Sequence, residues 1–272
     1  MGRQHLESVL KRGSTSDPVR IAPFVTVGFP DVEATLELVP ALEQAGASAI
    51  ELGVPFSDPL AEGPTIQKSS FHALNQGVTL ADCLEVAAEL RRRRVAIPLV
   101  LMGYYNPFLS YGLEEVAAGA KKAGVDGFII PDLPVDEIGP MLEACNRREI
   151  ALIPLLAPTS TDARIKEACA SASGFIYCVG LLGVTGARAE PSPEAATLVE
   201  RVRKNTSLPL AVGFGISRKE HIDALTDTVD AVAVGSALVD VIAKASPSER
   251  VTKVKSFMEG LGATSKTTGG SR

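Results

Sequence analysis

The sequence predicts an α/β protein whose fold is a single (β/α)8 barrel of the TIM type. The chain has 272 residues, close to the roughly 250 that one such barrel commonly occupies. Eight short runs rich in Ile, Val, Leu and Ala alternate with stretches of helical character. The runs are almost continuously apolar, as expected of parallel strands buried on both faces. Glycine-rich turns follow the later runs, at the end of the barrel where this architecture binds its ligand.

The predicted strands follow one another with helical segments between them. They are, in chain order, IAPFVTVGF from Ile21, SAIELG from Ser48, IPLVLMGY from Ile97, DGFII from Asp126, ALIPLL from Ala151, GFIYCV from Gly174, LPLAVGFG from Leu208 and DAVAVGS from Asp230. Alternation of this kind implies parallel strands joined by right-handed crossovers, and eight units close a barrel. The competing architecture is an open, doubly wound sheet.

Capping residues mark where the helices begin. The predicted caps are Asp31, Thr79 with Asp82, Ser192 followed by Pro193, and Ser217 with Glu220 as a capping box. Pro40 lies inside the helical stretch after the first strand, and we expect it to kink that helix because proline removes a backbone donor. The four arginines at residues 91–94 end another helix, where cations complement the helix dipole.

The domain organisation is simple. We expect one barrel domain over residues 1–261 and a solvated tail, GATSKTTGGSR, over residues 262–272. Residues 54–77, between the second strand and its helix, are too many for a simple turn. Long ordered loops in compact domains are often functional, so this segment is a candidate part of the site.

Composition excludes several classes of partner. A net charge of -5 gives no general attraction for nucleic acid or an anionic membrane. The four cysteines are widely spaced without a CxxC pair, which indicates neither a disulfide framework nor a thiolate metal site. His5, His72 and His221 have no spacing suited to a metal. We therefore expect no metal. Because the start has no apolar signal segment and no apolar run could span a bilayer, we also expect a soluble, unprocessed, cytoplasmic protein.

Carboxylates gather at the end of the second strand. Glu51 lies within the apolar run AIELG, where lost solvation should raise its pKa and make it an acid and base near neutral pH. The alternative is a buried glutamate paired with a structural cation. Asp58 and Glu62 follow on the loop, close enough for their titration to couple with that of Glu51. Loop acids are, however, commonly just solvated.

The second half of the barrel predicts a phosphate site. The turns GVTGAR, GFGIS and VGSAL follow the last three strands, and glycines let backbone N–H groups approach an anion closely. Ser236 stands at the start of the last predicted helix, whose dipole favours phosphate. No lysine lies in the strand-end motifs, which disfavours a Schiff-base aldolase, so carbon–carbon cleavage would depend on carboxylates.

At residues 51–67 the segment ELGVPFSDPLAEGPTIQ resembles the signature of tryptophan synthase alpha chains. The resemblance continues from PFVTVGFPD at Pro23, through PDLPVDE at Pro131 and GVTGAR at Gly183, to GFGIS and VGSA, and so covers nearly the whole chain. It implies a TIM barrel and a lyase of tryptophan biosynthesis, which cleaves indole-3-glycerol phosphate to indole and glyceraldehyde 3-phosphate by a retro-aldol reaction.

The same resemblance implies roles for individual residues. Glu51 matches the catalytic glutamate, and Glu62 stands where the family's second catalytic carboxylate is most often aspartate. Glu51 would protonate ring carbon C3 and remove the hydroxyl proton, while Glu62 would stabilise the ring N–H. The other matched positions are Phe24, Tyr177 and Thr185 for substrate binding, and Gly186, Gly215, Gly235 and Ser236 for phosphate binding.

The resemblance also implies a partner. The alpha chain would dock on a tryptophan synthase beta chain in an alpha2beta2 tetramer, through the loops GVPFSDP and YYNPF. No cofactor is expected in this chain, because pyridoxal phosphate would belong to the beta chain. Three alternatives stay open: an indole-releasing lyase of the family that works without a partner, another phosphate-binding barrel such as a sugar-phosphate isomerase, and an inactive barrel that serves as a regulator or scaffold.

Overall fold

The computed structural model describes residues 2–179, 193–213 and 215–263, without the side chains of residues 193–195. Within these ranges, parallel strands form a barrel with helices around it. The strands are β1 (Arg20–Thr26), β2 (Ile50–Gly53), β3 (Leu99–Met102), β4 (Gly127–Ile129), β5 (Ala151–Ile153), β6 (Leu155–Leu156), β7 (Ile176–Cys178), β8 (Leu210–Val212) and β9 (Ala231–Val234).

The helices follow the strands in the predicted alternation. They are α1 (Arg3–Leu10), α2 (Val32–Gln44), α3 (Pro64–Asn75), α4 (Leu80–Arg92), α5 (Tyr105–Tyr111), α6 (Leu113–Ala123), α7 (Gly139–Arg148), α8 (Asp162–Ser171), α9 (Pro193–Arg203), α10 (Lys219–Asp223), α11 (Ser236–Lys244) and α12 (Arg250–Gly260), with a 3-10 turn at Val135–Glu137.

Strand pairing confirms the (β/α)8 barrel. The order is β5-β4-β3-β2-β1-β9-β8-β7-β6, so that β1 pairs with both β2 and β9. The two ends of this order, β5 and β6, are halves of one predicted strand and are separated only by Pro154. Proline cannot donate to a ladder, and its carbonyl accepts the N–H of Tyr177 at 3.1 Å. The ring therefore closes through the fifth strand, and the open doubly wound alternative is wrong.

Inward-facing side chains form a core of their own inside the barrel. Phe24 on β1 lies beside Glu51 on β2, which lies beside Val100 on β3. Leu6 and Leu10 of α1 belong to the same buried cluster, so α1 closes the end of the barrel opposite the predicted site. Much of the interior on β8 and β9 is alanine, at Ala211, Ala231 and Ala233. Small residues there leave room for a ligand above them.

Two predicted helix caps are confirmed and one is wrong. The Asp31 carboxylate accepts the Ala34 N–H at 2.7 Å, and Thr79 forms a reciprocal capping box with Asp82. Ser217 and Glu220 form no such box, because α10 begins only at Lys219, with Arg218 at its N-cap and no side-chain cap. The backbone N–H of Ser217 is instead bonded to the ring of His221. The predicted cap at Ser192 lies outside the described residues.

Pro40 lies inside its helix, as predicted, and the kink stays a prediction. Helix α2 continues through Pro40 to Gln44. The carbonyl of Leu36, to which residue 40 would normally donate, accepts a hydrogen bond from the Arg93 guanidinium at 3.2 Å instead. A side chain from the neighbouring helix thus supplies the donor that the proline lacks.

The arginine run has a structural role beyond the helix dipole. Arg91 forms an ion pair of 2.7 Å with the fully buried Asp126 and donates to the carbonyls of Gly124, Val95 and Ile97. These bonds fasten the end of α4 to the segments that lead into β3 and β4.

The remaining expectations concern the ends of the chain and its environment. The domain limit at Leu261 stays a prediction: Ala263 still packs against the core, and residues 264–272 lie outside the described part. In the described residues no helix combines the length and the apolar character needed to cross a membrane. All four cysteines are buried and free.

Candidate active site

A cavity of about 610 Å³ opens at the carboxyl ends of the strands. Every predicted site residue that the structure describes lines it, namely Phe24, Glu51, Glu62, Tyr177, Gly215, Gly235 and Ser236. Thr185 and Gly186 lie outside the described residues, so their roles stay predictions. Strand β2 supplies the acid Glu51, and strands β1 and β7 supply the aromatic walls. The turns after β8 and β9 form the end of the cavity opposite these groups.

Glu51 is almost completely buried, with 2% of its surface exposed. Burial, followed by the charge of Glu62, raises its pKa from 4.5 to about 8. Among the described residues its Oε1 has no hydrogen-bond partner. Buried polar atoms in folded proteins are almost always hydrogen-bonded. A glutamate in a structural ion pair would bind its cation through these oxygens, so the unpartnered Oε1 argues against that alternative. At neutral pH Glu51 is therefore mainly a neutral acid at the cavity, with one oxygen that no described residue binds.

Glu62 lies on the loop between β2 and α3. Its burial raises its pKa from 4.5 to about 7. The loop is fixed on both sides of this residue, since the Ala61 N–H donates to the Tyr104 hydroxyl at 2.8 Å and the Gln67 amide donates to the Glu62 carbonyl at 2.8 Å. Tyr104, two residues after the end of β3, also stacks on Phe56, with 5.1 Å between the ring centroids. Tyr104 was not predicted as a site residue, although an aromatic residue at a strand end was a signal for it.

Asp58 does not join the two glutamates. Its side chain is exposed and accepts a hydrogen bond from the Ser57 hydroxyl at 2.5 Å, and it does not line the cavity. Asp58 is thus a solvated loop acid, as acids on loops commonly are. The charge that raises the pKa of Glu51 is that of Glu62, and Asp58 does not contribute.

Two aromatic rings form walls of the cavity, and glycines make space for both. A β-carbon at Gly53 would lie 2.3 Å from Cζ of Phe24, and one at Gly213 would lie 2.1 Å from Oη of Tyr177. Burial, then the charges of Glu51 and Glu62, raises the pKa of Tyr177 well above its usual value. The phenol therefore stays neutral, and the walls suit a flat apolar ring.

The opposite end of the cavity suits an anion. Gly215 has a left-handed backbone with φ of 82°, and Gly235 directly precedes α11, whose first residue is Ser236. The first N–H groups of a helix have no partner inside the helix, and its dipole favours negative charge there. The turn residues Ile216 and Ser217 line the same end.

One further acid in the cavity was missed. Asp240, one turn into α11, lines the cavity and accepts a hydrogen bond from the Thr65 hydroxyl of α3 at 3.2 Å. This bond joins the helix that follows Glu62 to the helix at the anion end. Nothing in the sequence pairs two residues so far apart, and Asp240 reads as an ordinary polar position on a helix.

The described part of the chain places no cluster of three or more His, Cys, Asp or Glu side chains for a metal ion. What the cavity does provide is one buried neutral acid, a second carboxyl that titrates near neutrality, a slot for a flat ring and an anion-binding end. This set can move a proton to a ring held between the walls while the far end of the ligand is fixed.

Comparisons with known proteins agree with this geometry. The sequence profile of the family "Tryptophan synthase alpha chain" matches residues 12–266. The tryptophan synthase alpha chain of Chloroflexus aurantiacus is 50% identical over 243 residues, 89% of this chain and 91% of that protein. That of Chloroflexus aggregans is 50% identical over 247 residues, 91% and 92% of the two chains.

Solved structures show the same likeness. The alpha subunit of tryptophan synthase from Legionella pneumophila superposes with a TM-score of 0.86 at 31% identity, covering 96% of this chain and 97% of that one. A chain from work on the tryptophan synthase a2b2 complex of Pyrococcus furiosus gives a TM-score of 0.84 at 39% identity, covering 90% and 98%.

Proposed function

The chain belongs to the tryptophan synthase alpha chain family, and we propose that Glu51 and Glu62 carry out that family's reaction here. The chain is a carbon–carbon lyase that cleaves indole-3-glycerol phosphate to indole and glyceraldehyde 3-phosphate in tryptophan biosynthesis. The observation that carries the assignment is the buried oxygen of Glu51, which lines the cavity without a partner among the described residues.

The first step is protonation of the indole ring. With a pKa of about 8, Glu51 is protonated at neutral pH and can deliver its proton to C3, the carbon that carries the glycerol phosphate chain. The ring nitrogen then becomes electron-poor. Glu62, with a pKa of about 7, is substantially ionised at neutral pH, and its carboxylate stabilises the N–H of that nitrogen.

The second step breaks the carbon–carbon bond. Glu51, now a carboxylate, removes the proton of the hydroxyl on the carbon next to C3. The carbonyl of the aldehyde forms as the bond to C3 breaks, and the electron pair of that bond restores the aromatic ring. Glu51 ends protonated, as it began, because the proton given to C3 is replaced by the hydroxyl proton. Burial favours this neutral resting form.

Binding aligns these groups with the substrate. Phe24 and Tyr177 would hold the indole ring, with Thr185 as a further substrate contact. Gly215, Gly235 and Ser236, together with Gly186, would hold the phosphate by their backbone N–H groups and by the start of α11. The phosphate takes no part in bond breaking, but the free energy of its binding thereby helps to orient the reacting bond.

The partner is a tryptophan synthase beta chain, in an alpha2beta2 tetramer. The two segments predicted for this contact, GVPFSDP and YYNPF, lie side by side, since Phe56 stacks on Tyr104. Most of the second segment lies in α5 (Tyr105–Tyr111) and not in a loop as predicted. Leu60 beside the first is 91% exposed, and Leu109 beside the second is 54% exposed. Exposed large apolar residues on neighbouring segments favour a protein contact. Pyridoxal phosphate would belong to the beta chain, and the free cysteines fit a cytoplasmic setting.

The test supplies indole-3-glycerol phosphate to the isolated chain and measures released indole. We expect Glu51→Gln to lose activity by on the order of a thousandfold and Glu62→Gln to lose it by a smaller factor. Asp58→Asn, which changes the exposed acid of the same loop, is the control and should keep wild-type activity. Wild-type turnover in Glu51→Gln would overturn the assignment, and no indole from any form would favour the scaffold alternative.

Adding the beta chain to the same assay separates the remaining alternatives. A subunit that works in a complex should accelerate when its partner binds. Equal rates with and without the beta chain would instead favour the free-standing lyase of the same family.

A further inference from the structure

The turn at residues 215–217 has little packing of its own, although it forms part of the anion end of the cavity. Its glycine and its serine are exposed, and only Ile216 is buried. Gly215, with φ of 82°, contributes flexibility rather than rigidity. A turn of this kind needs an external contact if it is to present its backbone to an anion in one shape.

That contact comes from His221 on α10. The ring is almost completely buried, at 3% exposure, and its Nδ1 lies 3.2 Å from the backbone nitrogen of Ser217 in hydrogen-bonding geometry. Helix α10 is short and has no side-chain cap, so the ring reaches back over the start of its own helix to the turn. We propose that His221 is a positioning residue, whose Nδ1 accepts the Ser217 N–H and so holds residues 215–217 in the shape that receives the substrate's phosphate.

The choice of ring nitrogen matters. Nε2 of His221 lies 3.2 Å from a guanidinium nitrogen of Arg218. Both neighbours are donors, and a neutral imidazole has one lone pair to accept with. The ring can therefore bond to Ser217 or to Arg218, but not to both. Only the first of these bonds acts on the backbone of the turn, and it is the one that the proposal requires.

The proposal rests on the proposed function for the identity of the anion, so the experiment measures binding and turnover separately. The binding probes are glycerol 3-phosphate, which carries the phosphate, and indole, which lacks it. Asparagine at residue 221 places an oxygen near the position of Nδ1, glutamine places its end group near Nε2, and leucine removes both acceptors. His5→Asn is the control, because His5 lies on α1 at the opposite end of the barrel.

We expect His221→Leu and His221→Gln to weaken glycerol 3-phosphate binding about tenfold, the effect of losing one buried hydrogen bond. The KM for indole-3-glycerol phosphate should rise in parallel, while kcat and indole binding stay near wild type. His221→Asn should bind like wild type. If the leucine variant does not fold, the asparagine and glutamine variants still decide between the two ring nitrogens.

Three results would overturn the proposal. Equal binding by all variants would show that the turn needs no such bond. Equal loss of binding in His221→Asn and His221→Leu would show that the ring acts only by its shape. Wild-type binding in His221→Gln alone would assign the role to the contact with Arg218. A wild-type chain that binds glycerol 3-phosphate through His221 but releases no indole would instead refute the proposed function and leave this inference standing.

Discussion

The hydroxyl of Tyr177 occupies the space that a β-carbon at residue 213 would need. A β-carbon at Gly213 would lie 2.1 Å from Oη, 2.5 Å from Cε1 and 2.6 Å from Cζ. All three distances are far shorter than a van der Waals contact, and the ring is only 5% exposed. The ring could make room only by moving, and the space beside it is the cavity that Glu51 lines. Tyr177 can therefore occupy this position only because residue 213, directly after β8, is glycine.

We therefore expect Gly213→Ala to lower kcat/KM for indole-3-glycerol phosphate by at least tenfold. Overpacking of this kind costs about 1–3 kcal/mol, and the displaced ring would intrude on the substrate. Steady-state kinetics with a thermal melt would measure both effects. Gly260→Ala is the matched control, because a β-carbon there meets nothing within 4 Å. Unchanged kinetics in Gly213→Ala would mean that the ring does not contact the substrate.

The two glutamates predict a narrow pH optimum. Activity requires ionised Glu62, so it should rise as pH passes the pKa of about 7. It also requires protonated Glu51, so it should fall above the pKa of about 8. Because the two groups interact, the measured values belong to the pair. A pH profile of kcat/KM for the isolated chain would test this, and a profile that stayed flat from well below the pKa of Glu62 to well above that of Glu51 would contradict it.

Glu51 also predicts a pH dependence of stability. Its pKa is about 8 in the folded chain against 4.5 for a free side chain, so the folded state holds the proton more tightly. The stability from this group is complete below 4.5 and is lost as pH rises towards 8. Glutamine cannot ionise. The free energy of unfolding of Glu51→Gln should therefore exceed that of the wild type by an amount that grows with pH, to roughly 4 kcal/mol near pH 8.

Chemical denaturation of both proteins at several pH values would measure this difference. The pair compared below pH 4.5 is the internal control, since there both side chains are neutral. A difference that did not grow with pH would show that Glu51 is ionised in the folded protein. Its role as the initial acid would then be lost together with the stability prediction.

The exposed leucine of the β2 loop should report on partner binding. Leu60 is 91% exposed and does not line the cavity, so a charge there should leave the isolated chain's kcat/KM near the wild-type value. Leu60→Asp should weaken binding of the beta chain by about tenfold or more, the usual effect of placing a charge in an interface core. Titration calorimetry with Phe71→Asp as control, an exposed apolar residue on α3, would test this. Equal losses in both would argue against a specific contact at Leu60.

The barrel could be predicted because its cause is local. Strands buried on both faces produce apolar runs, and each predicted run overlaps at least one observed strand. Glu51 could be predicted as well, since a carboxylate inside such a run stands out. The division of the fifth strand into β5 and β6 at Pro154 was not predicted, because the sequence stays apolar across the proline. Its effect appears only when the pairing partners on both sides are known.

Contacts between distant segments could not be predicted. The bond from Thr65 to Asp240 and the bond from Ala61 to Tyr104 join residues whose spacing carries no pattern. The predicted capping box at Ser217 failed for a different reason. The motif has the right letters, but the ring of His221, four residues along the chain, takes the same N–H, so one local contact replaces another.

Pro40 shows how a tertiary contact can also repair a local defect. The carbonyl of Leu36 would accept from residue 40 in a regular helix, and here it accepts from Arg93 at 3.2 Å. Replacing Arg93 by alanine should destabilise the chain by about 1 kcal/mol through this bond. In a Pro40→Ala background the helix regains its own N–H donor, so the same replacement should cost less.

A double-mutant cycle of Pro40→Ala and Arg93→Ala, followed by chemical denaturation, measures this difference. Arg93 also pairs with Glu33 and Glu89. These ion pairs are lost in both backgrounds, and their contribution cancels in the cycle. We expect a coupling of about 0.5–1 kcal/mol between the two sites. No coupling would mean that the Leu36 carbonyl gains nothing from Arg93, and that α2 tolerates the proline through some other adjustment of its backbone.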